Sequence, residues 1–204
     1  MNNYSFLLIF CSFLFFEACK NEEINDPMEY FSYVEDEKNG LFLKKEIKDL
    51  TFTLQYKPSA YMILSDNENL PIDEKSFSNE EKEYDKFQYY TLHIKVTSDT
   101  MGNDILHYKL TSEEAYTQRL HYFETTMQQD VKLICGDDTL SPASFLFKKE
   151  TAPGICCSFL ISFPTTAYRD MDRTFIYDNH ALNTGKVIFT IDGEAIANTP
   201  LLNL

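Results

Sequence analysis

The chain has no tryptophan, only 6 glycines, and 18 basic residues against 32 acidic ones. Each shortage excludes something. Without Trp, the apolar interior must be built from Phe and Tyr, of which there are 17 and 13, and an aromatic sugar-binding platform would have to fall to Tyr. With so little Gly, most turns must be made by Asn, Asp, Ser and Pro, which reach turn conformations through local hydrogen bonds or a fixed φ. A formal charge of −14 repels phosphate backbones and anionic head groups, so nucleic acid is not an expected partner. The acids are spread along the chain, as solubility asks, rather than massed in one tail.

Catalytic motifs are also missing. There is no His-Glu-x-x-His, no Gly-x-Ser-x-Gly and no Gly-rich phosphate loop, so no cofactor and no metal is expected from motifs. His93, His107, His121 and His180 are scattered, and packing on strands or on a helix is their ordinary role. The acids that could serve a hydrolase are Asp137-Asp138 and Asp170-x-Asp172. Glycoside hydrolysis needs two carboxylates roughly 5–9 Å apart, one with a raised pKa. Asp137 and Asp138 follow Gly136 at an expected hairpin turn. Asp170 and Asp172 lie between Arg169 and Arg173, which would lower their pKa rather than raise it. Asp66, Glu68 and Asp73, or Asp99 and Asp104 around Gly102, offer hard oxygen ligands without the spacing of a calcium loop, and read as solvated loops.

No apolar run is long enough to span a bilayer. The longest, Phe6 to Phe16, covers roughly eleven residues, where a transmembrane helix needs about twenty. Its length suits the apolar region of a secretory signal, which ends at small residues. Ala18 is such a residue, and Cys19 follows at once. This resembles the lipobox of bacterial lipoproteins, in which the cysteine thiol receives a diacylglycerol and becomes the new N-terminus. The next residues, Lys20-Asn21-Glu22-Glu23, resemble the lysine-plus-acid signal behind the lipidated cysteine in surface-exposed lipoproteins of the Bacteroidota. That resemblance implies residues 1–18 as signal peptide, an anchor in outer-membrane lipid through Cys19, and a location at the cell outer membrane facing its surface. The alternatives are an ordinary secreted protein cut near residue 18 and an uncleaved interfacial anchor. An acidic tether is expected over 19–27, too polar to bury a core, and a single β-rich domain over 28–204. Losing residues 1–18 removes Glu17 and no base, leaving 18 basic and 31 acidic residues, a formal charge of −13.

Beyond Cys11 and Cys19, three cysteines remain: Cys135, Cys156 and Cys157. Three thiols allow at most one internal bridge. Neighbouring side chains on a strand point to opposite faces, so Cys157 shares a face with Ile155, Phe159, Ile161 and Phe163, and Cys135 with Val131 and Leu133. Cys135 and Cys157 are therefore the candidates for a buried disulfide. The alternative is two unbonded cysteines packed as small hydrophobes. With no second pair of cysteines and no nearby His, Cys156 and Cys157 do not form a zinc site.

Period-2 alternation dominates the rest. Strands are expected at 41–47 and 51–57 with a hairpin turn at Lys48-Asp49, at 89–96 with Tyr90, Leu92, Ile94 and Val96 on one face, and at 105–110. Further strands are expected at 131–135, 144–148, 155–163, 174–178 and 186–192, the last with Val187, Phe189 and Ile191 inward. Tyr61 to Leu64 could be strand or helix. Ser65 to Lys86 reads as a long polar loop with a short helix at about 78–87, capped near Ser76 or Ser78. One firm helix is expected at about 112–130. Thr111 and Glu114 read as its capping box, and Tyr116, Leu120, Phe123 and Met127 form one stripe. Eight to ten strands and one helix predict an antiparallel β-sandwich with a helix at one edge, a barrel being the alternative. The strand-rich pattern behind the signal is similar to that of Bacteroidota lipoproteins.

Function follows from these limits. A lipid-anchored, non-enzymatic binding or accessory module of the cell envelope is expected, with an envelope protein or a glycan as partner. The alternative is a surface hydrolase acting on glycan or peptide. Tyr30, Phe31 and Tyr33, and Tyr84, Phe87 and Tyr89, are the aromatic groups that would mark a partner surface if exposed and the core if buried.

Overall fold

The computed structural model describes residues 22–67, 72–97, 104–149, 156–168 and 170–204. The signal, Cys11 and Cys19 lie outside them, as do Glu68, Asp99, Gly102, Ile155 and Arg169. The chain is mainly β, with two larger antiparallel sheets that form a sandwich rather than a closed barrel. Strands β2 (Phe42–Ile47), β3 (Leu50–Lys57), β4 (Phe87–Val96), β7 (Ser144–Lys149) and β8 (Cys156–Pro164) make a five-stranded sheet in the order β2-β3-β4-β8-β7. Strands β5 (Val131–Cys135), β6 (Asp138–Leu140), β9 (Arg173–Asn179) and β10 (Gly185–Ile191) make a four-stranded sheet in the order β10-β9-β5-β6. A parallel pair, β1 (Glu23–Ile24) with β11 (Leu201–Leu202), ties the two ends of the described chain together.

The alternation read in the sequence sets the packing. Tyr90, Leu92 and Ile94 of β4 lie opposite Tyr56, Leu54 and Phe52 of β3 and Ile161, Phe159 and Cys157 of β8, and this face turns inward. Leu133, Phe175, Tyr177, Val187, Phe189 and Ile191 of the second sheet complete the core. Rings mesh within and across the sheets: Tyr90 lies 5.7 Å from Phe163 of its own sheet and 6.0 Å from Phe175 of the other. These offset and edge-on pairs add to the burial of each ring. One open side is closed by lysines of the β2 edge, where Lys45 Nζ donates to Ile188 O at 2.5 Å and Lys48 Nζ to Asn183 O at 2.6 Å. The other is closed by helix α4 (Glu113–His121) and the wide and tight turns that continue it to Asp130. Its stripe of Tyr116, Leu120, Phe123 and Met127 packs on the core, with Phe123 5.3 Å from Phe159.

Among the described residues, four helices go beyond the one firm helix expected. Helix α1 (Pro27–Glu35) begins with Asp26, which accepts from Met28 N at 2.8 Å, and with Pro27 in the first turn, both strong start signals. Helix α2 (Ser59–Asp66) resolves the ambiguous Tyr61–Leu64 run as helix. Helix α3 (Glu74–Tyr84) starts earlier than 78 because Asp73, not Ser76 or Ser78, is its cap; Asp73 accepts from Ser76 N at 3.0 Å. Helix α5 (Gly193–Ala197) follows β10. Helices α1, α2 and α3 build a second, smaller cluster around Tyr30, Val34, Tyr61, Ile63 and Phe77.

Further corrections concern the tether, the 105–110 segment, the α4 cap and the disulfide. Residues 22–27 are not tether: Ile24 packs on the second cluster beside Leu202, which stabilises β1 where charge alone would leave it loose. Residues 105–109 form turns, not a strand, because the carbonyls of Ile105, Leu106 and Tyr108 all turn to the Arg119 guanidinium. The cap of α4 is Ser112 instead of Thr111, accepting from Ala115 N at 3.2 Å. Cys135 and Cys157 are both buried but not joined to each other. Cys157 lies near the start of β8, opposite Ile94, whereas the Cys135 thiol donates to Tyr168 O at 3.3 Å past the far end of that strand. About 20 Å of strand separates them, and a disulfide tolerates Cα atoms no more than about 7 Å apart.

Phe175 is fully buried and touches both Tyr90 and Phe163, so Phe175→Ala should destabilise the fold by roughly 3–5 kcal/mol. Leu146→Ala, at a half-exposed site on β7, should stay within about 0.5 kcal/mol of wild type. Urea unfolding of both variants checks this, and equal losses would place the core elsewhere.

Candidate functional site

The inward ladder of each sheet ends in a polar residue at the same end of the sandwich. On β4 the residue before Tyr90 on the inner face is Gln88, and on β9 the one before Phe175 is Arg173. Both are about 95 % buried. Arg173 Nε donates to Gln88 Oε1 at 2.8 Å, and a second guanidinium nitrogen donates to Met171 O. Gln88 also accepts from the Tyr90 hydroxyl at 3.3 Å and donates to Pro164 O at 3.1 Å. Buried polar groups satisfied in this way rigidify their surroundings.

A cleft of about 280 Å³ opens over this pair. Its helical wall is the start of α2 and the end of α3, where Ser59 Oγ donates to Asp85 Oδ1 at 2.5 Å. Thr165 closes the next side, its hydroxyl donating to Asp85 O at 2.8 Å. Ile196 and Ala197 of α5 give an apolar wall, and Phe87 stands at the mouth, 38 % exposed. Helix α5 sits close to the 170–172 loop because residue 193 is Gly: a Cβ there would lie 2.3 Å from Asp170 O. Asp172 Oδ1 accepts from Gly193 N at 3.0 Å and locks this approach, which brings Asp170 to the cleft. Tyr56 lines the floor. Burial, opposed by the Arg173 charge and assisted by Asp85, pushes its hydroxyl up to about 12.

The aromatic groups divide. Tyr30 is core, and Phe31 packs edge-on to Tyr61 at 4.8 Å. Tyr84, Tyr89 and Phe87 instead form a strip leading to the cleft mouth, with ring separations of 5.6 and 6.5 Å. Of the four acids a hydrolase would need, only Asp170 lines the cleft. Asp137 and Asp138 stay on the exposed β5–β6 turn, and Asp172 is spent on Gly193. The acids weighed for calcium serve the fold: Asp66 accepts from the Tyr84 hydroxyl at 2.6 Å, Asp73 caps α3 and Asp104 holds its own turn through Leu106 N. Among the described residues no group of three His, Cys, Asp or Glu side chains gathers as a metal site, and no helix is long and apolar enough to cross a membrane. None of the four histidines lines the cleft. His107 stacks on Tyr116 at 4.3 Å, and His180 lines a separate pocket.

The Arg173–Gln88 pairing was missed in the sequence. Its signal was there: both residues continue a strict inward alternation one step beyond the apolar run. No protein-family model, curated protein or solved structure matches the chain.

Chemically, the cleft offers fixed donors and acceptors beside an exposed ring, which suits holding a small polar molecule. The Tyr56 shift has a pH consequence. A hydroxyl whose folded pKa is raised stabilises the fold below the unfolded value of about 10 and loses that contribution as pH climbs through its folded value. The difference in ultraviolet titration between wild type and Tyr56→Phe should therefore show one tyrosinate forming at about pH 12, with stability falling above pH 10. A difference step near pH 10 in the folded protein would put Tyr56 in open solvent.

Proposed function

We propose that this protein is a lipid-anchored module of the cell envelope, held at the outer membrane through Cys19, whose β-domain binds a glycan in the cleft beside Phe87 without transforming it. The observation that carries the reading is the pairing of a half-buried aromatic strip, exposed at Phe87, with a mixed set of hydrogen-bonding groups. Sugar hydroxyls both donate and accept, and the cleft presents both kinds: the Ser59, Thr165 and Tyr56 hydroxyls, the Asp85 and Asp170 carboxylates, and the Gln88–Arg173 pair. Apolar C–H faces of a sugar ring suit the strip of Phe87, Tyr89 and Tyr84. At about 280 Å³, the cleft falls just under the ~300–1,000 Å³ of drug-sized pockets. A single sugar unit, terminal or at a branch, suits it better than an extended chain.

Binding rather than catalysis is supported by what stands nearest the polar groups. Ser59 faces Asp85 with no imidazole to take its proton, and general base and nucleophile must stand within hydrogen-bond reach of each other.

Titration calorimetry of the lipid-free domain against neutral mono- and oligosaccharides tests the reading. A saturating sugar is expected, and Phe87→Ala should weaken it about tenfold, or 1.4 kcal/mol. Unchanged affinity in Phe87→Ala, or release of a cleaved product, would overturn it. Recovery of a stoichiometric envelope protein with no sugar bound would make the chain an accessory subunit instead. The anchor is checked separately: Cys19→Ala should abolish incorporation of a fatty-acid probe, and persistent labelling would refute lipidation at that residue.

A further inference from the structure

Arg119 lies at the opposite end of β9 from the cleft and is 91 % buried. Its Nη1 donates to the carbonyls of Ile105, Leu106 and Tyr108 at 3.1, 3.3 and 2.6 Å, and its Nη2 to Ala181 O at 3.3 Å. Carbonyls satisfy hydrogen bonds but do not cancel charge. Among the described residues no carboxylate stands within ion-pair distance of this guanidinium, in a chain with 32 acids. Burial accordingly pushes its pKa down, with Tyr177, Tyr108 and Asp104 acting against that only in part. A buried cation without an anion is unfavourable, and a neutral amide could have served the carbonyls.

The donors still unused are informative. A guanidinium carries five N–H groups; two on Nη1 and one on Nη2 meet the carbonyls, which leaves the Nε–H and one Nη2–H without an acceptor among the described residues. That pair forms the side-on fork that grips a carboxylate by two parallel bonds. Beside it opens a pocket of about 340 Å³. Ala115, Ala181 and Leu110 give it apolar walls, and Gln118, Tyr122 and His180 stand at its polar margin. The Tyr122 hydroxyl is committed to Asp130 at 2.7 Å, so the positive charge in the pocket is that of Arg119.

We propose that this pocket is an anion site for a small aliphatic carboxylate, its two oxygens on Nε and Nη2 of Arg119 and its carbon chain against Ala115 and Ala181. The site is separate from the sugar cleft and stands whether or not that cleft binds a glycan. Butyrate is the probe, with 1-butanol as its uncharged counterpart, titrated into the full domain by calorimetry near physiological ionic strength, where fields beyond about 8 Å are screened. Butyrate should saturate, and 1-butanol should bind at least about tenfold more weakly. Replacing Arg119 would also release the 105–108 turn, so the deciding variant is Ala115→Leu. It crowds the apolar wall on which the carbon chain would lie and leaves all four Arg119–carbonyl bonds in place. Ala115→Leu should lower butyrate affinity at least about tenfold with no change in melting temperature. Non-saturating butyrate, equal affinity for butanol, or full binding by Ala115→Leu would each overturn the site.

Discussion

The interior depends on the register of β4 between β3 and β8. Each residue of β4 from Leu92 to Ile94 is matched on both sides, Leu92 by Leu54 and Phe159, Ile94 by Phe52 and Cys157. A slip of one residue would turn Thr91 and His93 inward and send the apolar set to the outer face. The same register decides where the core stops. It makes Gln88 the last inward residue of β4, and the facing strand brings Arg173 to it at 2.8 Å. The cleft is thus the end of the core itself, with a polar rung in place of an apolar one. That is why the Gln88–Arg173 pair is rigid: it is held by two sheets rather than by loops.

The chain is acidic outside and keeps two of its few cations inside, one at each end of β9. Arg119 gathers backbone carbonyl oxygens, and Arg173 reaches the Gln88 amide oxygen and the Met171 carbonyl. Removing a carboxylate from water is expensive and is repaid only by excellent geometry, whereas carbonyl dipoles are already in the interior. Arg119 also orders its surroundings at a distance. By gathering three carbonyls of the 105–108 turn it sets Tyr108, whose hydroxyl donates to Asp49 in the β2–β3 hairpin turn. One side chain on α4 thereby links a helix, a turn and a hairpin of the larger sheet.

Much of this was legible beforehand. The alternating runs at 51–57, 89–96, 131–135 and 186–192 became β3, β4, β5 and β10 because half-buried strands need period 2, and no competing period was present. The stripe from Tyr116 to Met127 was legible for the same reason at period 3.6. What failed did so for identifiable causes. The 105–110 segment alternates like a strand, yet its carbonyls are claimed by Arg119, a contact fourteen residues away that no local pattern announces. Helix α1 carries its signals openly, Asp26 and Pro27, and was hidden by the acidic character of the residues before it. Helix α3 was placed late because its serines look like caps, while Asp73 provides the cap through the backbone N–H of Ser76. The cleft required knowing which strands face each other across the sandwich, and a sequence of sheets packed by long-range pairing does not state that.

The pairing of β1 with β11 has a geometric bearing on the proposed anchor. Shortening the tether leaves three residues, Lys20 to Glu22, between Cys19 and the first strand, a reach of roughly 10 Å at full extension. Ile24 and Leu202, the partners in that pair, pack in the same cluster as Ile196, which also lines the cleft. A chain lipidated at Cys19 therefore holds its cleft end near the bilayer and has little freedom to swing it outward. The acids on the intervening surface, Glu22, Glu23, Glu29 and Asp36 around a hollow beside α1, would repel anionic head groups and keep the domain from lying flat on them. Were Cys19 to carry the proposed lipid, a short leash and a repelling face together would favour a ligand that comes to the membrane surface, or is carried on it, over one captured far from it.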